Sequence, residues 1–448
     1  MARKSGESRL GRLARLGGLT SKVTRSYIGN RVKNALVSEE VRKKARHKLH
    51  IDNAKQIVET VSRMKGAAMK LGQQMAVMAQ SLDLPEEVGA TLSKLHKDSE
   101  PIPWDIIKED VEAELEGPIS DHFASFDERP LGTASLGQAH VATLLDGTEV
   151  VVKVLHRGVE HSVDTDMMAL KAVLLSGRVL RRDKAEIEAA FDEIQARLRE
   201  ELDYLQEAVN IHTFGEMFAG DDRVRIPKIH AALCTERILT MDRLPGVHLD
   251  QFLKSGSPEA KQRAGVTLAE IYYEMVFRHR TLHADPHPGN YLFEEDGRVG
   301  LVDFGCIKRF NEFWIGTYAT AALATHHGDR ATALEAAREL GSWEGTNPEE
   351  GDLLWEFCEV LGNGFRLGEI TLGQHQEQFM EDMKPVIKKF IRNPNVKIPK
   401  DVLFMHRSLG GLYSIARQLG CRADFGAIMS SHAQYAVDKA QGRVRQES

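Results

Sequence analysis

The chain has 448 residues, of which 42% are hydrophobic and 28% are charged, and its formal net charge is -6. These proportions are ordinary for a soluble globular protein, and no apolar run approaches the roughly 18–20 residues that a membrane-spanning helix needs. The four cysteines lack the spacing of a metal site and the N-terminus lacks the apolar core of a secretory signal, which argues against a disulfide-bonded secreted scaffold.

The first 48 residues are strongly basic. They contain 14 Lys and Arg against three Glu, a local net charge of +11, so the rest of the chain carries -17. Apolar residues from Leu10 to Val23 recur every three or four positions among the basic ones, which favours an amphipathic helix on an anionic membrane surface. A basic tail or a mitochondrial-type presequence is the alternative. Nucleic acid is not an expected partner, because aromatic side chains for base stacking are nearly absent.

Residues 51–118 are predicted to form helices that precede the main domain. The first helix holds Lys70 and Gln73, which are three residues apart and therefore share a face. Taken alone, these two side chains would be interpreted as a solvated pair. A Pro-flanked linker and an acidic helix follow them in the sequence.

A β-hairpin is predicted next, because two apolar runs flank the turn Asp146-Gly147. The loop before it contains five candidate nucleotide-binding residues: Gly132, Thr133, Ala134, Ser135 and Gly137. Small side chains in such a loop let backbone N–H groups approach a phosphate. Lys153 ends a β-branched run, which is the position of the kinase lysine that holds the α- and β-phosphates. Without other motifs, Lys153 would be interpreted as a lysine at a strand edge.

Residues 160–215 are predicted to be largely helical. A kinase fold needs a helix carboxylate beside its strand lysine, and Glu207 is the predicted partner of Lys153. Glu201 and Asp203 are predicted to lie one to two turns earlier in the same region. A solvated acidic helix face is the alternative interpretation of these carboxylates.

Two short strands are predicted at residues 226–229 and 237–241. The second ends at Met241, which is assigned to the nucleotide site because a kinase hinge would follow it. A helix at residues 258–280 is then predicted to lead into the central motif of the chain. Residues 311–440, beyond that motif, are predicted to be helical.

The central motif runs from His283 to Asn290 and is followed by Asp303-Phe304-Gly305, the order of a kinase catalytic loop and metal loop. Two short apolar runs around a turn that ends in Gly297 predict a β-hairpin between them. A hairpin brings the start of its first strand beside the end of its second, so oxygens of Asn290 and Asp303 can converge on one Mg²⁺. Asp285 is then placed to position or deprotonate the attacking hydroxyl or water.

Together these residues resemble the UbiB family of atypical kinase-like ATPases, in particular its coenzyme Q biosynthesis branch. The resemblance covers residues 5–425 and rests on six elements in the family's order. The elements are Lys70-Leu71-Gly72-Gln73, Ala134-Ser135-Leu136-Gly137-Gln138, Lys153, Glu201-Leu202-Asp203 with Glu207, the stretch from His283 to Asn290, and Asp303-Phe304-Gly305.

The resemblance implies an α+β, two-lobed protein-kinase-like fold with a helical N-terminal extension and a helical C-terminal lobe. The expected parts are a basic segment at 1–50, the extension at 51–118, an N-lobe at 119–245 and a C-lobe at 246–440.

The resemblance also implies a regulatory lid. Lys70 and Gln73 would face the nucleotide site from above, held by Glu201 and Asp203, and would limit the access of protein substrates. One departure is Gly132-Thr133, where the family's loop is usually rich in alanine. Glycine loosens a loop and makes this one more like an ordinary kinase glycine loop, so the resemblance does not fix the nucleotide preference or the residual kinase activity.

The implied function is a Mg-ATP-dependent atypical kinase or ATPase that supports isoprenoid quinone (ubiquinone) or lipid metabolism at a membrane surface. The implied cofactors are ATP and Mg²⁺, and the candidate partners are an anionic lipid, an isoprenoid quinone precursor and proteins of a biosynthetic complex. The expected location is cytoplasmic on the inner face of a membrane, or the matrix side in a mitochondrion; the lack of a clear presequence favours a bacterial source. The alternatives are a small-molecule phosphotransferase and a nucleotide-binding scaffold.

Overall fold

The computed structural model describes residues 101–133, 136–159, 198–393 and 395–443, with eight single positions between 164 and 196. The basic N-terminal segment lies outside the described residues. So do the predicted lid residues Lys70 and Gln73, and Ala134 and Ser135 of the nucleotide loop.

The helices and strands are numbered here in chain order. The first group is α1 (Trp104–Glu114), β1 (Phe123–Phe126), β2 (Gly132–Thr133), β3 (Gly137–Leu144), β4 (Glu149–Leu155), α2 (Tyr204–Met217), β5 (Val224–Arg225) and β6 (Ile238–Asp242). The second is α3 (Leu249–Ser255), α4 (Pro258–Tyr273), β7 (Thr281–His283), β8 (Tyr291–Phe293), β9 (Val299–Leu301) and β10 (Ile307–Arg309). The third is α5 (Glu312–His327), α6 (Arg330–Glu339), α7 (Pro348–Phe365), β11 (Glu369–Thr371), α8 (Gln376–Arg392), α9 (Lys400–Leu419), β12 (Arg422–Asp424) and α10 (Phe425–Ala440).

The chain divides into two compact units. Unit 1 comprises the chain up to Val209 together with Ile229–Arg243, and unit 2 comprises Asn210–Lys228 and the chain from Leu244 onward. The boundary falls inside α2, and the segment 210–228 belongs to unit 2 although the predicted N-lobe contains it. The four-part division proposed from the sequence stays a prediction.

Unit 1 contains an antiparallel sheet in the order β1-β3-β4-β6, with β2 paired to β3. The predicted hairpin is confirmed, since Thr143 of β3 pairs with Glu149 of β4 across the Asp146-Gly147 turn. Strand β4 is a run of valines that is buried on both faces, as a central strand requires. Helix α1 packs on this sheet through Ile107 and Val111, which share a face.

Among the residues that the structure describes, unit 2 contains three small sheets and most of the helices. Strand β9 pairs antiparallel with β8 and parallel with β5, which confirms the predicted hairpin around Gly297. Strand β7 pairs with β10, and β11 pairs with β12. Helix α4 continues as a π-helical turn, Glu274–Arg278, so the helix predicted at residues 258–280 is confirmed.

The strand predicted at residues 226–229 is wrong. The strand in this region is β5, two residues earlier, and Ile229 makes only an isolated bridge to Met241. Pro227 explains the shift, because proline has no N–H group to donate to a strand ladder. The following strand, β6, is confirmed at its predicted position.

Residues 312–440 are helical, as predicted, apart from short connections and the strands β11 and β12. Among the helices that the structure describes, none combines the length and the apolarity that crossing a bilayer requires.

Candidate active site

In unit 1 the predicted ion pair is present. Lys153 lies on β4 between Ala139 of β3 and Leu239 of β6, and its Nζ donates to Oε1 of Glu207 on α2 at 2.7 Å. The side chains are 15% and 5% exposed, so the pair is largely removed from water. This pairing offsets part of the cost of removing each charge from water, because an uncompensated charge in such a place is costly. The pair holds the ammonium group at a fixed point of the sheet.

The loop residues on either side of Ala134 and Ser135 differ in the space around them. A Cβ on Gly132 would meet no atom within 4 Å, whereas one on Gly137 would lie 2.6 Å from the Val154 carbonyl oxygen. It would also lie 2.9 Å from the Tyr204 hydroxyl. Gly137 is therefore required by the close approach of β3 to β4, and Gly132 is not. Met241, which is paired with Val151 in the sheet, is buried at 3% exposure.

Glu201 and Asp203 precede helix α2, so the largely helical stretch predicted over residues 160–215 is interrupted at this point. Asp203 starts helix α2. Its Oδ1 accepts a hydrogen bond from the Gln206 N–H at 2.8 Å, the contact of an N-terminal cap. An aspartate in this place ends the preceding helical stretch and begins a new one. The lid role of both residues stays a prediction, since its other half lies outside the described residues.

In unit 2 the catalytic loop follows β7 and ends at β8. The Asn290 Nδ2 donates to the Asp285 backbone carbonyl at 3.1 Å and to the Asp285 carboxylate Oδ2 at 3.0 Å. These two bonds fix the Asp285 carboxylate and fix the orientation of the Asn290 amide. Both side chains are partly exposed. A proton acceptor and an amide oxygen are thus held as one rigid arrangement.

The loop after β9 is joined to this arrangement through the backbone. The Val302 N–H donates to the Asn290 carbonyl oxygen at 3.1 Å, and the His283 Nε2 donates to the Asp303 carbonyl oxygen. The Asp303 carboxylate accepts a bond from the Gly305 N–H at 3.2 Å. The catalytic loop and the loop of Asp303-Phe304-Gly305 are therefore adjacent, as expected from the predicted hairpin between them.

Phe304 anchors this loop in the core of unit 2. It is fully buried, and its ring contacts those of Phe214 and His283 with centroids 5.1 and 5.5 Å apart. Asn210, which is 4% exposed, donates to the Phe304 carbonyl oxygen at 2.9 Å. The sequence reasoning missed Asn210 and Phe214. Their spacing of four residues on one helix face was the available signal.

The donor set of the motif fits Mg²⁺. Because the Asn290 Nδ2 faces Asp285, its Oδ1 faces away and is left for a cation, and Asp303 adds carboxylate oxygen. Mg²⁺ prefers such oxygen ligands and takes its remaining ligands from phosphates and water. A metal site made of protein side chains alone would need more ligands than these two residues supply. Within the described residues, no group of three or more His, Cys, Asp or Glu could hold a metal ion. The individual roles of the site residues stay predictions.

Burial perturbs the pKa of a tyrosine beside the motif. Tyr291, directly after Asn290, is 1% exposed, and burial raises the pKa of its hydroxyl well above the usual value, with the nearby Asp285 carboxylate adding to the effect. The phenol is therefore neutral at any physiological pH and does not compete with Asp285 as a base.

Residues 94–337 match the family described as the ABC1 atypical kinase-like domain. The chain is similar to "Atypical kinase COQ8B, mitochondrial" of Rattus norvegicus, with 29% identity over 423 residues that cover 93% of this chain and 79% of the relative. It is also similar to "AarF domain-containing protein kinase 1" of Mus musculus, with 30% identity over 436 residues that cover 94% and 80%.

A solved structure has the same fold. It is Rv3197 from Mycobacterium tuberculosis, determined as a complex with erythromycin, and it superposes with a TM-score of 0.60 at 22% identity. The match covers 87% of this chain and 95% of the other. At this identity the likeness establishes the fold, which is α+β and kinase-like as predicted.

Proposed function

The chain belongs to the ABC1 family of atypical kinase-like proteins, and on that premise we propose that it uses Mg-ATP in support of isoprenoid quinone metabolism at a membrane surface. Family membership confirms the UbiB resemblance and makes the chain an atypical kinase-like enzyme. The family implies ATP use. To this family assignment the proposal adds the use of Mg²⁺, the quinone-metabolism context and the membrane surface.

The observation that carries the proposal is the Asn290–Asp285 arrangement. One amide donates both to the backbone and to the carboxylate of Asp285, which leaves its oxygen for a cation. A base and a metal ligand held together in this way suit phosphoryl transfer, in which catalysis is mostly positioning and electrostatic stabilisation.

Each remaining residue has a defined task in the proposed reaction. Lys153, held by Glu207, binds the α- and β-phosphates through its ammonium group. Asn290 and Asp303 hold the metal, which when bound neutralises charge on the phosphates. Asp285 orients the attacking hydroxyl or water and accepts its proton.

The quinone context is supported by the relatives. The chain resembles the coenzyme Q branch of its family, and relatives named COQ8B, coq-8 and COQ8 are described as mitochondrial. The basic segment 1–48, with a net charge of +11, supports an anionic membrane surface as a partner. The proposed location is accordingly the inner face of a bacterial membrane or the matrix side of a mitochondrial one.

The test of the proposal is ATP hydrolysis by the full chain, with and without vesicles that contain anionic lipid. We expect hydrolysis that rises with vesicles and is absent in Asp303→Asn. Hydrolysis that is indifferent to vesicles would remove the membrane from the proposal. Phosphorylation of a soluble alcohol would favour the small-molecule phosphotransferase. ATP binding without turnover, with partner effects that survive Asp303→Asn, would favour the scaffold.

A further inference from the structure

Helix α9 comes close to the catalytic loop at Gly411. A Cβ on Gly411 would lie 2.6 Å from the Pro286 Cβ and nearer still to its Cγ, and 3.4 Å from its carbonyl oxygen. Real side chains do not come this close, so only glycine fits at position 411 against the present loop. Pro286 directly follows Asp285, the proposed base.

The proline cannot move aside as a flexible side chain would. Its ring is bonded to its own backbone nitrogen, which fixes φ near about -65°. A change of ring pucker can shift Cγ, but Cβ is bonded to Cα, so relieving the clash with Cβ moves the backbone of the loop. That backbone includes the Asp285 carbonyl oxygen, to which the Asn290 amide is bonded.

Helix α9 is also held in place. The Tyr272 hydroxyl of α4 donates to the Met405 carbonyl oxygen of α9 at 2.9 Å, and Met405, Leu412 and Ile415 are buried. Just beyond its end, Cys421 lies so close to Gly265 of α4 that a Cβ there would be 2.6 Å from the sulfur. A side chain at position 411 would therefore displace the loop more easily than the helix.

We propose that Gly411 is a positioning residue for Asp285: helix α9 packs against Pro286 and thereby sets the place of the proposed catalytic carboxylate. This inference rests on the proposed function. It extends the catalytic machinery beyond the ABC1 match, which ends at residue 337, into a helix that the motifs do not include.

The chain offers a matched control next to the glycine. A Cβ on Gly410 would meet nothing within 4 Å, and the residue is exposed on the same helix. Gly411→Ala and Gly410→Ala thus make the same chemical change, with and without the contact. Both gain the same helix propensity, so a difference between them reports the loop contact.

The first measurement is steady-state ATP hydrolysis by the full chain and both variants. We expect Gly411→Ala to lower kcat by about 10- to 100-fold, since a misplacement of about 1 Å can cost about 100-fold. KM for ATP should change less than about 2-fold, because Gly411 contacts the catalytic loop and not a residue assigned to phosphate binding. Gly410→Ala should have the kcat and KM of the wild type. A kcat for Gly411→Ala equal to that of Gly410→Ala would overturn the proposal.

A second-site variant tests the contact itself. Pro286→Gly removes both ring atoms that Gly411→Ala would strike, so in that background Gly411→Ala should change kcat by less than about 2-fold. Losses that simply multiply in the double variant would show that Gly411 does not act through Pro286, and would overturn the proposal. If Gly411→Ala alone is insoluble, recovery of soluble protein in the double variant supports the contact, and persistent insolubility contradicts it.

The unfolding temperatures separate this inference from the proposed function. Gly411→Ala should unfold at a lower temperature than Gly410→Ala, and Pro286→Gly should abolish that difference, whether or not ATP is hydrolysed. Equal unfolding temperatures for the two alanine variants would contradict the contact. A wild-type chain that neither binds nor hydrolyses ATP would instead contradict the proposed function.

Discussion

At the scale of single residues, the two glycines that flank the nucleotide loop serve different purposes. Gly137 lies against the Val154 backbone and the Tyr204 hydroxyl, whereas Gly132 has open space around it and no left-handed backbone angle. We predict that Gly137→Ala lowers the free energy of unfolding by about 1–3 kcal/mol through overpacking. Gly132→Ala should raise it by about 0.4–1 kcal/mol, because the unfolded chain becomes less flexible. Urea denaturation of both variants checks this, and equal effects would contradict it.

The Lys153–Glu207 pair leads to a prediction about coupling. Glu207→Ala leaves the ammonium group largely buried without its carboxylate, so we expect a loss of about 3–5 kcal/mol of stability together with loss of ATP hydrolysis. Lys153→Met with Glu207→Leu should cost less than Glu207→Ala alone. A double-mutant cycle of Lys153→Met, Glu207→Leu and the two combined, followed by chemical denaturation, measures the coupling. Additive costs would show that the two charges do not stabilise each other.

Much of the site could be predicted from residue spacing, because its groups belong to local motifs. The order of Asp285, Asn290 and Asp303 around one hairpin required only turn chemistry and the geometry of paired strands. Gly411 could not be found this way. Its importance comes from a contact with Pro286, which is more than 100 positions away in the chain.

At the scale of elements, helix α2 links the metal loop to the core of unit 2. Asn210 and Phe214 on this helix hold Phe304 by a hydrogen bond and a ring contact. We predict that Asn210→Leu lowers the free energy of unfolding by about 1–3 kcal/mol, because the buried Phe304 carbonyl loses that donor. The control is His212→Leu on the exposed side of α2, which should cost less than about 0.5 kcal/mol. Thermal or urea unfolding distinguishes the two, and equal costs would argue against a structural role of the bond.

The places where the structure departs from the predicted elements share a cause. Both departures, at residues 226–229 and at Glu201–Asp203, lie where one backbone group decides the boundary. Pro227 lacks a ladder donor, and Asp203 satisfies the N–H of Gln206 with its own side chain. Long periodic runs such as β4 and α4 were predicted correctly because many residues contribute to each.

At the scale of the whole molecule, stability should fall in mild acid. His406 shares a 2.9 Å hydrogen bond with the Tyr318 hydroxyl, and burial lowers the pKa of the imidazole to about 4. The unfolded chain therefore binds this proton more tightly than the folded one, so stability is complete above pH of about 6.5 and is lost as the pH falls toward about 4. Burial also lowers the pKa of His140 and His432, so these two histidines add to the loss of stability in acid.

Protonation of His406 should lower the free energy of unfolding by at most about 3 kcal/mol, and by less in proportion to the exposure of the ring. Urea denaturation between pH 7 and pH 4.5 measures it. His406→Gln, which does not titrate, should show a shallower pH dependence than the wild type. Identical slopes would mean that His406 is not among the groups responsible.

The motif from His283 to Gly305 is proposed to form a Mg-ATP site, and the decisive experiment is a Mg²⁺ titration of ATP hydrolysis. We expect saturable dependence on Mg²⁺ in the wild type, a weaker apparent Mg²⁺ affinity in Asn290→Ala, and a loss of at least about 100-fold in Asp303→Asn. Lys153→Met should lose hydrolysis as well. Hydrolysis that is independent of Mg²⁺, or that survives unchanged in Asp303→Asn, would show that this motif does not form a Mg-ATP site.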